Sequence, residues 1–467
     1  MGFISSILKN NKDNSPQALL EKINSQNANN TIERIREKLV LVAKIDHELN
    51  GFGASKHQYK LNPTLPLEKV KKLQTESGCR FPKDYIDFIT QIGNGGAGPY
   101  YGMSGFDDEI DRNGIGNCAL PCLLSPDMSI SEWTALCEVP EDCSDEEFDI
   151  ICDRVHQGTL YLGTCGCEYD LLLIVNGPYQ GHILYTSHWV DSNTPYIFSY
   201  ETSFLEWYER WLDEVILGYN TSWFGHRMGG DEEFLIDAAK NTDDINKKID
   251  AINALTKLPK LSNNALNYLE QQIETNEITL YKAVLNVLSE YSRDRTVSYI
   301  KKELKIPYNE KTKVVIPIIY FKQKENFQLF YDDLLPILKE VDDDHTLSNI
   351  GYILTSLNAV RVEDFQPFFT HQNQNIVISA IYAASHDIDL KDKVKYFFEN
   401  IISSNERISL IAIQSATKIN QINDDLLPYL KKAWQMYPVE KDPYIRTNIK
   451  SYITKIGMSK KIDVNQW

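Results

Sequence analysis

The stretch FPKDYIDFITQIGNGGAGPYYGM, Phe81 to Met103, decides how the rest of the chain is read. Within it, Gly93-Asn94-Gly95-Gly96-Ala97-Gly98 spells G-x-G-x-x-G. In a dinucleotide-binding unit that pattern follows a strand and opens a helix, whose free N–H groups and dipole hold a pyrophosphate. Here the order is reversed. Phe81, Tyr85, Phe88, Ile89 and Ile92 recur at helical spacing, so a helix precedes the glycines, with Pro82 in its first turn. Pro99-Tyr100-Tyr101-Gly102-Met103 then reads as extended chain, leaving no helix N-terminus to meet a phosphate. The glycines therefore carry a structural reading. Gly93 stands at the left-handed position that ends a helix, and Gly95, Gly96, Gly98 and Gly102 let the chain reverse without Cβ clashes. No nucleotide cofactor is expected.

Working outward, Ile32, Ile35, Leu39, Leu41, Val42 and Ile45 give residues 1–56 a helical face, ended by Asn50-Gly51-Phe52-Gly53. A mixed region covers 57–230. Helices are expected at Pro66–Glu76, Phe81–Ile92, Ser144–Val155 and Ser203–Leu217; Ser144 and Glu147 are spaced as a capping box. Between the last two helices the period shortens. Gly158–Gly163, Tyr169–Asn176 and His182–Ser187 read as three sequential antiparallel strands, with Tyr196–Tyr200 as a fourth. Helices at both ends of a small sheet make this region α+β.

From 231 to 467 the chain is helical and self-similar. Asp332-Asp333-Leu334-Leu335-Pro336 nearly recurs as Asp424-Asp425-Leu426-Leu427-Pro428. Equivalent positions are Tyr268, Tyr299, Pro336, Pro367, Tyr396 and Pro428, at steps of roughly 30 residues, and a second helix follows each copy. Pairs of this kind bury their apolar faces by stacking on one another, which gives an all-α, HEAT-like solenoid as the expected architecture and a plain helical bundle as the alternative.

The whole chain has 467 residues, with 48 basic and 65 acidic side chains and a net charge of -17. Such a surface disfavours nucleic acid and anionic membranes and draws in basic partners. No apolar run is long enough to cross a membrane, and no secretory signal is read, so a cytoplasmic location is expected. Met1-Gly2-Phe3-Ile4-Ser5-Ser6 matches the myristoylation pattern, which matters only in a cell that has the transferase. All eight cysteines fall between Cys79 and Cys167. Cys118/Cys122 and Cys165/Cys167 lack the usual zinc rhythm, so packing as small apolar residues is the favoured reading and no metal is expected.

Taken together, His57-x-Tyr59-x-Leu61-Asn62-Pro63, the Phe81–Gly102 stretch, Gly158-Thr159-Leu160, Gly166, the Asn176–Gly181 turn and Phe204-Leu205-Glu206-Trp207-Tyr208-Glu209-x-Trp211-Leu212 resemble the SUKH superfamily, in its Smi/Knr-type branch. The resemblance spans about 57–220. It implies a SUKH-like mixed sheet flanked by helices, and binding rather than catalysis. Many bacterial members are immunity proteins that neutralise toxins, often nucleases or deaminases; fungal relatives are scaffold and signalling proteins of cell-wall synthesis. No catalytic residues are carried over, so no enzyme activity is expected. His182, His188, Asp170 and Asp191 lie near one another in sequence, but no G-x-S-x-G marks a nucleophile.

One segment stands out as a candidate partner site. Cys137–Asp153 is crowded with carboxylates and has no Lys or Arg, and Glu141, Asp142, Asp145, Glu146, Glu147 and Asp149 are the candidate contacts for a basic protein surface. The competing reading is electrostatic capping, since negative charge in a first helical turn is favoured in any case. Toxin immunity through a protein–protein contact is the leading expectation. An intracellular scaffold that uses the repeats is second, and a cysteine- or metal-dependent enzyme third.

Overall fold

The computed structural model describes residues 15–106, 117–166, 169–187, 190–438 and 443–467. The Met1–Ser6 pattern, Cys167 and His188 lie outside these residues. The chain divides into two compact units, Met1–Ala265 and Leu266–Trp467.

In the first unit, Ser15 and Asn30 cap helices α1 (Pro16–Gln26) and α2 (Thr31–Ile45) with their side-chain oxygens. Helices α3 (Leu67–Ser77) and α4 (Lys83–Gln91) follow, then α5 (Ile130–Leu136) and α6 (Asp145–Val155). The strands are β1 (Thr159–Gly166), β2 (Tyr169–Ile174), β3 (Ile183–Ser187) and β4 (Ile197–Phe198), and α7 (Phe204–Ile216) comes after them. The strands pair in sequence order and every pairing is antiparallel. The mixed sheet implied by the resemblance is thus corrected to an antiparallel one among the described residues. Short connections between neighbouring strands permit only antiparallel pairing.

Both faces of the sheet are covered. Leu160, Leu162, Leu171, Leu173, Ile183 and Tyr185 point into one core, shared with α1, α2, α4 and α7. Leu172, Ile174 and Leu184, the alternate residues, point into a second core with Cys122, Leu124, Trp133, Cys137 and Val155. This is why Leu171-Leu172-Leu173-Ile174-Val175 is uniformly apolar rather than alternating. The second core is roofed by the segment that carries α5 and α6.

Helix α7 holds the first core together. Trp207, Tyr208 and Trp211 are buried; Trp207 Nε1 donates to Tyr185 Oη (2.9 Å) and Tyr208 Oη to the Ala97 carbonyl (2.9 Å). Its other face meets α2 through charge. Arg34 clasps Glu209 with two hydrogen bonds of 2.6 and 2.9 Å. Lys38, only 1% exposed, reaches Glu209 (2.7 Å) and Asp213 (2.6 Å).

The break between units falls later than residue 231, where the helical region begins in the sequence. Helices α8 (Glu232–Lys240) and α9 (Ile245–Ala254) pack on each other within the first unit. Buried Lys257 then ties the following turn to α7, through Glu214 (2.6 Å) and the Met228 carbonyl (2.8 Å).

The second unit is helical. Its expected second helices are α10 (Ile278–Tyr291), α11 (Glu310–Lys322), α12 (Asp344–Ser356), α13 (Gln374–Ala384), α14 (Glu406–Ala416) and α15 (Pro443–Lys455). Each packs against the next in the series. The anchors Pro336 and Pro428 fall in the intervening helices Phe327–Leu338 and Leu427–Met436, while Pro367 and Tyr396 fall in short 3-10 turns.

Candidate functional site

The glycine loop is built into the fold rather than opened to a ligand. Four of its amides are spent inside the protein. Gly93 N–H donates to the Phe88 carbonyl, Gly96 to Met103, Ala97 to Lys60 and Gly102 to Pro99. The loop is threaded between two other segments, with Gly96 bridging both Leu61 and Met103. A Cβ on Gly96 would lie 2.5 Å from the Lys60 oxygen, and one on Gly95 would lie 2.5 Å from the Ser104 oxygen. Gly95 (φ 81°), Gly96 (φ 94°) and Gly102 (φ 94°) are left-handed.

Gly93 and Gly98 are not left-handed, so the helix-stop role expected of Gly93 is corrected. Gly93 lacks a side chain because Leu61 Cβ would stand 2.8 Å from its own Cβ. The chain after the glycines is also not extended: Tyr100 turns at φ 56° and its hydroxyl donates to the Phe224 carbonyl (2.7 Å).

The His57–Pro63 motif has a role in the same knot. His57 Nδ1 accepts from the Tyr59 amide (3.0 Å), holding Gln58 and Tyr59 at left-handed φ. Tyr59 Oη donates to Asp46 Oδ2 (2.5 Å), and Asn62 Nδ2 donates to the Asn94 carbonyl (3.0 Å). Burial lowers the His57 imidazole to about 4, so it is neutral at physiological pH.

The acidic segment lies on the roof of the second core. Glu141 and Asp142 sit in the turn before α6, Asp145, Glu146 and Glu147 in its first turn and Asp149 one turn on; all six are exposed. They do not carry equal freedom. Ser144 donates from its amide and its hydroxyl to Glu147 Oε2 (3.0 Å each), while the Glu147 amide donates back to Ser144 Oγ. These bonds hold the Glu147 carboxyl below the usual range. Glu147 is thus a capping residue, exposed but engaged, and the remaining five carboxylates are left as the candidate contacts.

Helix α5 beside them starts with the same device, Ser129 and Glu132, which the sequence also spells. Arg154 at the end of α6 donates to the Leu136 carbonyl at the end of α5 (2.9 Å) and joins the two helices. Two large apolar side chains on this layer are turned to water: Ile130 is 84% exposed and Ile150 66%.

Among the described residues the other candidate chemistry is not assembled. Cys118 lies in the first core beside Cys79, and Cys122 lies in the second, across the sheet. Burial and the Cys79 thiol push Cys118 up to about 12, and burial raises Cys137 to about 11, so both are protonated at neutral pH. Among the described residues no group of three His, Cys, Asp or Glu is placed to hold a metal ion. His182 Nδ1 sits 3.0 Å from the Tyr179 carbonyl, and Asp191 caps its own turn through the Asn193 amide and the Thr194 hydroxyl.

No curated protein matches the chain. Among protein families, the SMI1 / KNR4 family (SUKH-1) matches residues 64–210, so this central part of the chain is similar to the domains of that family.

Proposed function

We propose that the α+β module is a non-enzymatic protein-binding domain and that its work is immunity: occluding a toxin that carries a basic surface, of the nuclease or deaminase class. The observation that carries this reading is the SMI1 / KNR4 (SUKH-1) match over 64–210, a family of protein-interaction modules. The exposed carboxylates Glu141, Asp142, Asp145, Glu146 and Asp149 supply the chemistry of the contact, and Ile150, exposed on the same helix α6, supplies an apolar one. Charge of one sign suits a partner of the opposite sign and speeds encounter. The proposed location is cytoplasmic, with no cofactor.

A second reading is favoured by the successive packing of α10 to α15. We read these pairs as HEAT-like repeats, an architecture that presents extended surfaces for assembly. On that reading the protein is an intracellular scaffold. The two are separated by co-expression. The tagged full chain is used to capture and identify its partner from its own cells, and the partner is then expressed in a bacterial host with and without this protein. Immunity predicts that the partner alone arrests growth and that the protein restores it. A partner harmless on its own supports the scaffold.

A further inference from the structure

The helical unit contains a groove that the reading above does not use. It has a volume of about 520 Å³ and lies among α10, α11 and the start of α12. That is within the roughly 300–1,000 Å³ of ligand-binding pockets. Its floor is apolar, formed by Pro317, Ile318 and Phe321 of α11, and Phe321 is 61% exposed. Its rim is cationic. Lys282, Lys313 and Lys322 line it against a single carboxylate, Asp343, with His345 alongside. Asp343 is already committed: it accepts from Tyr308 Oη (2.5 Å) and caps α12 through the Thr346 amide (2.8 Å). A cationic lining is unexpected on a chain whose net charge is -17.

The lysines differ in how far they are engaged. Lys322 reaches Glu290 (2.5 Å), and Lys313 reaches Glu310 (2.9 Å) and Asp342 (3.3 Å). These carboxylates are exposed, so an incoming carboxylate exchanges for them at little cost. Exposed Lys282 enters none of the ion pairs found among the described residues.

The groove also continues beyond its own walls. The Phe321 ring meets Tyr320 (4.7 Å), Tyr320 meets Tyr352 of α12 (5.4 Å), and Tyr352 meets Tyr382 of α13 (6.3 Å). Lys418 stands over Tyr382 at 5.1 Å, bonded to the Ser385 hydroxyl rather than to a carboxylate. A ribbon of rings with an ammonium group at its far end fits an extended occupant, not a compact metabolite.

We propose that this groove docks an acidic peptide segment of a partner protein. An apolar side chain seats on Pro317, Ile318 and Phe321, the flanking carboxylates face Lys282, Lys313 and Lys322, and the peptide runs on along Tyr320, Tyr352 and Tyr382. The site is separate from the acidic roof of the α+β module, and it selects the opposite charge.

The test is fluorescence anisotropy on the full chain. The probe is a fluorescein-labelled peptide in which a Leu-Phe pair is flanked on both sides by glutamates. Saturable micromolar binding that weakens with salt is expected. Lys282→Glu and Phe321→Ser, both at exposed positions and both checked for unchanged helicity, should each weaken it about tenfold. A control peptide with serines in place of the glutamates should bind at least about tenfold more weakly. No saturation by the acidic peptide, equal binding of the serine peptide, or variants that bind like the parent would each overturn the proposal.

Discussion

Replacing Gly96 by alanine tests the role of the glycine loop most sharply, because two penalties meet at that residue. At φ 94° an L-residue is strained by about 1–2 kcal/mol. The new Cβ would also lie 2.5 Å from the Lys60 oxygen and 2.9 Å from Leu61 Cα, both backbone atoms that cannot swing aside. Relieving that clash means parting the loop from the 60–62 segment, at the expense of the paired bonds between Gly96 and Met103 (2.8 Å each) or the Ala97–Lys60 bond (2.7 Å). Each such bond is worth about 1 kcal/mol, so the total loss should be about 2–4 kcal/mol. Two controls isolate the parts. Gly78→Ala adds a Cβ at φ 70° with nothing within 4 Å, and carries the backbone strain alone. Gly98→Ala has no left-handed strain, and its one close contact is with the Met103 side chain (2.6 Å), the Met103 backbone nitrogen lying at an ordinary 3.5 Å, for about 1 kcal/mol. The assay is urea unfolding of the full chain followed by tryptophan fluorescence, since buried Trp207 and Trp211 report on the first core. If Gly96→Ala is no worse than Gly78→Ala, the account of the loop as a knot between two segments is refuted.

Three further outcomes are expected. His57 has a folded-state value of about 4 against an ordinary 6.5, so the unfolded chain takes up its proton first as pH falls. Stability is fully present above 6.5 and is lost on the way down to about 4, by about 2 kcal/mol between pH 7 and pH 5. Urea midpoints of the parent and of His57→Gln, measured at both pH values, should diverge by that amount; parallel midpoints would refute the assignment. Lys38→Met removes the cation shared by half-buried Glu209 and Asp213, leaving Glu209 with Arg34 alone, and should destabilise by about 1–3 kcal/mol at neutral pH. Burial already raises Asp213 to about 6, and removing Lys38 raises it further, so protonation relieves the penalty and the variant should recover part of the loss at pH 5. Tyr59→Phe removes the hydroxyl bonded to Asp46 and should cost about 1–2 kcal/mol in the same urea assay, without changing helicity.

Much of the fold was legible because the signals are local. Ser144 and Glu147 mark the start of α6, Ser203 the start of α7, and turns with glycine separate the strands. Ser129 and Glu132 spell the same start for α5, but α5 has only seven residues and their apolar period is too short to register. What could not be read is long-range. Nothing near Gly93 announces that Leu61 will press on it, and nothing near Lys257 shows that Glu214 will hold it inside the first unit. The two cores beneath one strand run were implied by five consecutive apolar residues, yet the sequence does not tell which segment roofs the second. The acidic segment was visible as composition. The Ser144–Glu147 spacing already marks Glu147 as a capping residue; that Glu141, Asp142, Asp145, Glu146 and Asp149 are all exposed required the structure.

The central claim, that the acidic roof of the α+β module receives a basic protein, is tested by association kinetics with the identified partner. The parent is compared with a variant carrying Asp145→Asn, Glu146→Gln and Asp149→Asn, changes at exposed positions that leave the Ser144–Glu147 box intact. The account predicts a parent on-rate that falls steeply with salt, and a variant that associates about tenfold more slowly at low salt with a flattened salt dependence. Equal on-rates and equal salt dependence in the two proteins would contradict it.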